Sequence, residues 1–163
     1  MSGSQPWEDV LVALRRIIRA TDLHSKQILK QYGLTIPQVM VLRAIESLGD
    51  VTVKRLSEEV SLSQATVTTI LNRLEDRDFI KRSRAFENKR VVNARLTEAG
   101  TAKLSETPPL LHDTFIQRFE QLESWDQLQM LATLQRAASM MDAERLDAAP
   151  LLDIARPVEK QNG

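Results

Sequence analysis

Cysteine is absent from the 163 residues. Disulfides, thiolate catalysis, cysteine-based zinc sites and thiol redox sensing are thereby excluded. Glycine occurs five times and aromatic residues make up 4% of the chain, a profile that favours helices over a strand-dominated fold. No apolar run of about 18 residues occurs and the N-terminus lacks a signal-peptide pattern, so the expectation is a cytoplasmic protein with no membrane partner. There is no glycine-rich phosphate loop, no G-x-S-x-G and no H-E-x-x-H. The many carboxylates fall on helix faces expected to be exposed, so the chain does not read as an enzyme. His24 and His112 stand far apart, each without another His or Cys at ligand spacing, and neither a metal nor another cofactor is expected.

What is present is unevenly distributed. The net charge is zero, but residues 51–95 carry 10 Lys and Arg against 6 Asp and Glu, whereas residues 96–163 carry 6 against 11. A basic segment confined to one region can be the footprint of a polyanion. An uneven solvated surface accounts for it equally well, so charge alone does not decide.

Hydrophobic periodicity predicts a first amphipathic helix from Trp7 to about Gln31, stopped by Gly33. Thr35-Ile-Pro-Gln38 is a capping-box pattern that opens a second helix through Leu48. Thr52 can cap a short third helix, Val53 to Val60. After a break at Ser61-Leu62-Ser63, a capping-box pattern of Ser61 and Gln64 starts a fourth helix to about Arg77. Phe79–Phe86 and Arg90–Thr97 read as a two-stranded hairpin with a charged tip. Thr97 can cap a fifth helix, broken near Thr107 by Pro108-Pro109 and resuming to Leu122. Ser124 and Gln127 suggest a cap for a sixth helix to about Ala148, with Leu128, Leu131, Leu134, Ala138 and Met141 in line. The tail from Ala149 reads as extended. Four helices, a hairpin and two more helices form a mainly α (α+β) chain. A short helix, tight turn, second helix and hairpin is the layout of a winged helix-turn-helix.

The fourth helix has an unusual surface. Ser61–Glu75, SLSQATVTTILNRLE, is rich in Ser, Thr and Asn, which are mediocre helix formers. On a helical wheel Val67, Ile70, Leu71 and Leu74 form the apolar side. Ala65, Thr69 and Asn72 lie opposite, flanked by Thr66, Thr68 and Arg73. An ordinary solvated face would carry Glu and Lys. A short, neutral, hydrogen-bonding face suits the major groove, where hydroxyls pair with base edges and the Thr methyl meets thymine. Ser63 and Gln64, at the helix start, can meet a phosphate alongside free backbone N–H groups. The alternative is a polar helix facing protein. The hairpin carries Lys81, Arg82, Arg84, Asn88, Lys89, Arg90 and Arg95. Such a tip can reach a narrow minor groove, although charge also protects an edge strand from mispairing.

The stretch LSEEVSLSQATVTTILNRLEDRDFIKR followed by ENKRVVNARLTEAG resembles the MarR family of bacterial winged-helix transcription regulators, and the likeness extends over about residues 7–146. It implies a cytoplasmic, nucleoid-associated homodimer, a repressor reading a pseudo-palindromic double-stranded DNA operator. Residues 1–34 and 98–148 would form the helical dimerisation region, with Trp7, Leu11, Leu14, Ile18, Leu128, Leu131, Leu134 and Met141 at the interface. Residues 35–97 would form the winged domain and 149–163 a C-terminal tail. The resemblance puts Ala65, Thr66, Thr69 and Arg73 at bases or adjacent phosphates and makes Arg90 the wing arginine, with Lys89 beside it. It also implies a small amphipathic or aromatic effector between the dimer helices and the winged domain. Polar or aromatic residues near that hinge are His24, Ser25, Tyr32 and Arg43, each of which also reads as a surface or capping residue. Two positions depart from the family pattern: Asn88 replaces the usual wing Asp, and Asp78 stands where Gly commonly ends the recognition helix. Asp tolerates the left-handed conformation better than most residues. A winged helix used only to bind protein is the competing reading; it calls for an apolar outer face on the fourth helix and no basic tip.

Overall fold

A computed structural model describes residues 5–84 and 92–143. The elements run α1 (Pro6–Tyr32), α2 (Ile36–Leu48), β1 (Val51–Thr52), α3 (Val53–Val60), α4 (Gln64–Asp76), β2 (Ile80–Arg84), β3 (Val92–Leu96), α5 (Glu98–Ser105), α6 (Leu111–Glu120) and α7 (Ser124–Met140). The fold is mainly helical, a winged helix-turn-helix between long terminal helices. Its sheet is antiparallel with strand order β1-β3-β2. Val51 pairs with Ala94, and the β2–β3 register runs from Ile80 opposite Leu96 to Arg84 opposite Val92. No described helix is long and apolar enough to cross a membrane.

Local chemistry sets most boundaries. Gly33 ends α1 in the left-handed conformation at φ 66°, which costs glycine nothing. The Thr35 hydroxyl accepts from the Gln38 N–H while the Gln38 side chain accepts from the Thr35 N–H, the reciprocal cap expected for α2. Thr52 and Thr97 cap α3 and α5 through the N–H groups of Arg55 and Gly100. Asp78 adopts φ 57°, a left-handed geometry that Asp tolerates better than most residues.

Several boundaries differ from expectation. The cap of α4 is Ser63, not Ser61; Ser61 instead ends α3 at φ 54°. The break expected at Pro108-Pro109 is present and separates α5 from α6 outright, so that seven helices are described where six were counted: each proline lacks an N–H and disfavours helix before it. The cap of α7 is Glu123, not Ser124, and the Gln127 amide donates instead to the carbonyls of Phe119 and Leu122. That helix ends at Met140, so Met141 sits at its C-cap and not on its face. β1 was not foreseen; two residues carry no readable alternation. The 149–163 tail lies outside the described residues.

The core belongs to the winged domain. Leu34, Ile36, Val39, Leu42, Ile45, Leu56, Val67, Leu71, Leu74 and Ile80 are almost wholly buried, each such side chain contributing about 1.5–3 kcal/mol. The terminal helices are different. α1 fully buries only Ile28, and no residue of α6 or α7 is fully buried.

Candidate nucleic-acid interface

Val67, Ile70, Leu71 and Leu74 turn inward as the wheel predicts, and this fixes the rotation of α4. Gln64, Ala65, Thr68, Thr69 and Asn72 are therefore exposed, with Thr66 and Arg73 half-buried at the margin. The first turn of α4 holds no acid. Ser63 accepts from the Thr66 N–H at 3.1 Å, and its hydroxyl also bonds the Thr66 hydroxyl at 2.8 Å.

The threonines resolve the question of why a helix carries them. Thr68 and Thr69 donate their hydroxyl protons back to the carbonyls of Gln64 and Ala65, at 2.8 and 3.1 Å. This back-bonding satisfies each hydroxyl within the helix. The two side chains remain exposed, their oxygens still able to accept. That is a neutral, low-profile surface able to accept hydrogen bonds and to touch a thymine methyl.

Two contacts hold the far end of α4. The Arg77 guanidinium stacks on the Phe79 ring, 4.7 Å from its centroid, and donates to the Gly33 carbonyl at 2.7 Å. Arg82, on β2, forks onto Glu75: its backbone N–H meets Oε1 at 3.2 Å, and its Nε meets Oε2 at 2.8 Å with Nη2 joining the same oxygen. The hydrogen bond from Arg82 holds the Glu75 carboxyl below its usual range, against an opposing push from burial. Arg82, one of the expected DNA-binding residues, is thus paired with Glu75. Lys81, Arg84 and Arg95 are exposed, with Arg95 lying 3.6 Å from Asp50. Asn88, Lys89 and Arg90 lie outside the described residues.

The turn after β3 explains the LTEAG motif. The Phe79 carbonyl accepts from the Thr97 N–H at 3.1 Å, and the Thr97 hydroxyl donates to the Asp78 carbonyl. A Cβ on Gly100 would lie 1.9 Å from that Phe79 oxygen. Only glycine lets α5 pass so close to the backbone joining α4 to the wing.

On the other side, a cavity of about 350 Å³ opens between α1 and α6, bordered by Ile36 of α2. Apolar walls from Ile17, Ala20, Leu111 and Phe115 carry Thr21, His24, His112, Thr114 and Arg118. His24 Nε2 accepts from the Leu111 N–H at 3.0 Å. Burial, and secondarily the nearby His112, lower the His24 pKa, with Asp113 opposing. His112 Nδ1 is buried without a hydrogen-bonding partner among the described residues. Arg43 of α2 ties this junction to the winged domain, bonding Asp113 and, at 2.9 Å, the Pro108 carbonyl. Asp113 also accepts from the Leu110 N–H at 2.6 Å. Burial raises the Asp113 pKa, but the Arg43 and Leu110 hydrogen bonds together with the charges of Arg43 and His112 outweigh it, and the net shift is downward. The two histidines are distant in the chain. Nothing in periodicity could have brought them together; only the packing of α6 on α1 does.

Of the expected dimerisation residues, Trp7, Ile18, Leu128, Leu131, Leu134 and Met141 are exposed, while Leu11 and Leu14 are half-buried.

A model of the MarR family matches residues 34–92, from just before α2 to the first residue of β3. The HTH-type transcriptional regulator YsmB of Bacillus subtilis, itself uncharacterised, is 30% identical over 106 residues, 63% of this chain and 73% of YsmB. The HTH-type transcriptional regulator SarZ of Staphylococcus aureus is 39% identical over 74 residues, 45% of this chain. The chain spans about half the length of SarZ, 50%. Among solved structures, the PcaV transcriptional regulator of Streptomyces coelicolor, in complex with its natural ligand, superposes with a TM-score of 0.60 at 20% identity, covering 86% of this chain and 99% of PcaV. At that identity the likeness is one of fold.

Proposed function

The chain belongs to the MarR family of transcriptional regulators, and from that premise we propose that it binds double-stranded DNA as a homodimer and represses transcription from a pseudo-palindromic operator. The observation that carries this reading is the outward side of α4. It is exposed, free of acid through the first turn and built from back-bonded threonines over a fully buried apolar side. A protein-binding helix would present apolar side chains there. In this reading Ser63, Gln64, Ala65, Thr66, Thr68, Thr69, Asn72 and Arg73 approach the groove, and Arg84, Asn88, Lys89 and Arg90 serve the backbone or the minor groove.

Dimerisation is supported by the terminal helices. On α7, Trp125 is 64% exposed and Leu128 66%, and Leu131 and Leu134 continue the stripe. Helices that expose so much apolar surface call for a partner, and a second copy with its symmetry supplies the same stripe. Two copies then present two α4 helices to successive turns of one face of the duplex.

Effector control is supported by the α1–α6 cavity. Apolar walls with a few convergent polar groups suit a small amphipathic or aromatic molecule. The cavity adjoins the Arg43–Asp113 tie, so occupancy that favours one setting of that tie would alter the spacing of the α4 helices.

The test is to select duplexes from a randomised pool with the full chain. The expected result is an enriched sequence with two half-sites about one helical turn apart. Failure to enrich any sequence would overturn the reading.

A further inference from the structure

Glu75 presents a difficulty for a DNA-facing helix. It is the first acid reached along α4, and a bare carboxylate beside the phosphate backbone repels it. Arg82 answers it from the neighbouring strand. The contact uses three donors of one residue, the backbone N–H, Nε and Nη2, on both oxygens of the carboxylate. It is partly shielded from water, with the Arg82 side chain 25% exposed and that of Glu75 37%. Because Ile80 points into the core and side chains alternate along a strand, Arg82 faces α4 as well. The fork therefore joins the recognition helix to the first strand of the wing at a fixed distance and angle.

We propose that Arg82 is a positioning residue: it holds Glu75, and so sets the wing against α4 in the geometry that grips DNA, without itself touching the nucleic acid. This rests on the DNA-binding reading above. It changes which cations count. Arg82 sits among Lys81 and Arg84 and looks in sequence like one more phosphate contact. Its charge is spent inside the protein, leaving its neighbours to meet the duplex. The carboxylate, in turn, assists binding although its sign is the same as that of DNA.

The geometry separates two kinds of substitution. Lysine is a good point-charge partner for phosphate but cannot reproduce a planar fork on a carboxylate. A brace is therefore broken by Arg82→Lys, whereas a phosphate contact largely survives it. Removing the acid has opposite consequences as well. Glu75→Gln relieves repulsion if Arg82 reads DNA, yet releases the wing if Arg82 is a brace.

The experiment uses the full chain and a fluorescein-labelled duplex enriched by the wild type from a randomised pool, with affinity measured across a salt series. Thermal unfolding and circular dichroism establish that each variant is folded. The expected result is that Arg82→Lys and Glu75→Gln each weaken specific binding on the order of tenfold, that the double variant is no worse than either alone, and that the salt slope moves by less than about half a unit. Binding that Arg82→Lys leaves intact, or that Glu75→Gln tightens, would overturn the brace. Should Arg82→Lys lose its fold, Glu75→Gln at the partly exposed helix end still decides the matter. If the wild type enriches no duplex, the DNA-binding reading itself fails, an outcome distinct from wild-type binding with unaffected variants.

Discussion

The imidazole of His24 on α1 accepts a hydrogen bond from the backbone N–H of Leu111, the first residue of α6, at 3.0 Å. The first N–H groups of a helix have no partner within it, and here a side chain 87 residues away supplies one. Only the neutral ring can accept. Protonation would replace that acceptor with a donor facing another donor at the positive end of a helix.

A pH dependence of stability follows. The His24 pKa is lowered in the folded protein, chiefly by burial, from 6.5. The native state then binds fewer protons than the unfolded state, so the contribution is complete above the unfolded value and is lost as pH falls through the folded one. Asp113 and Glu75 are also lowered, from 3.8 and 4.5, so their contributions are lost only in more acidic solution. Between about pH 7 and pH 5 the melting temperature should fall in the wild type and fall less in His24→Gln, whose amide oxygen can still accept. Parallel curves would contradict this role for His24.

Gly100→Ala should be costly although alanine is the better helix former. Its Cβ would meet the Phe79 carbonyl oxygen at 1.9 Å, and backbone is hard to displace. Overpacking of this kind costs about 1–3 kcal/mol. Urea unfolding should show a lower midpoint with the slope unchanged. An unaltered midpoint would mean that the turn between α4 and the wing yields freely.

Leu131→Glu should prevent the proposed dimer from forming. Leu131 is exposed on α7 in one chain, and burying it against a partner contributes about 1.5–3 kcal/mol, which a buried unpaired carboxylate would more than reverse. Sedimentation should give a dimer for the wild type and a monomer for the variant at the same concentration. A variant that remains dimeric would remove α7 from the interface.

Arg90→Ala should weaken binding to the selected duplex and lower the salt slope by about one unit, the loss of one phosphate neutralised. An unchanged slope and affinity would take this residue out of the mechanism.

The winged domain was legible because its signals are local. Thr35 with Gln38, Thr52, Thr97 and Gly33 act within four residues of their targets, and the Val67-Ile70-Leu71-Leu74 stripe repeats at helical period. The wheel therefore gave the correct outward side of α4. What failed was longer in range or ambiguous in the same code. Ser61 and Ser63 are both credible caps, and the choice fell to Ser63 because Ser61 is needed in the left-handed turn that ends α3. The Arg82–Glu75 pairing was not legible because a count of charges cannot show that Glu75 lies across the turn. The resemblance implied a site in this region with His24 near it, but the cavity's lining, His112 included, was not legible because it assembles only where α6 meets α1. The MarR resemblance came from LSEEVSLSQATVTTILNRLEDRDFIKR and the wing stretch ENKRVVNARLTEAG, and the Gly100–Phe79 approach gives the LTEAG ending its physical reason.

The central claim is that the hydroxyl-bearing side of α4 enters a DNA groove, and Thr69→Glu tests it most directly. Thr69 is exposed and its hydroxyl donates to the Ala65 carbonyl of the same helix, so the fold should tolerate the change. Fluorescence anisotropy on the wild-type-selected duplex should show specific binding abolished, while circular dichroism and sedimentation stay as in the wild type. Affinity retained by a folded, dimeric Thr69→Glu protein would contradict the account, since a carboxylate at the centre of a groove-bound surface cannot be neutral in its effect.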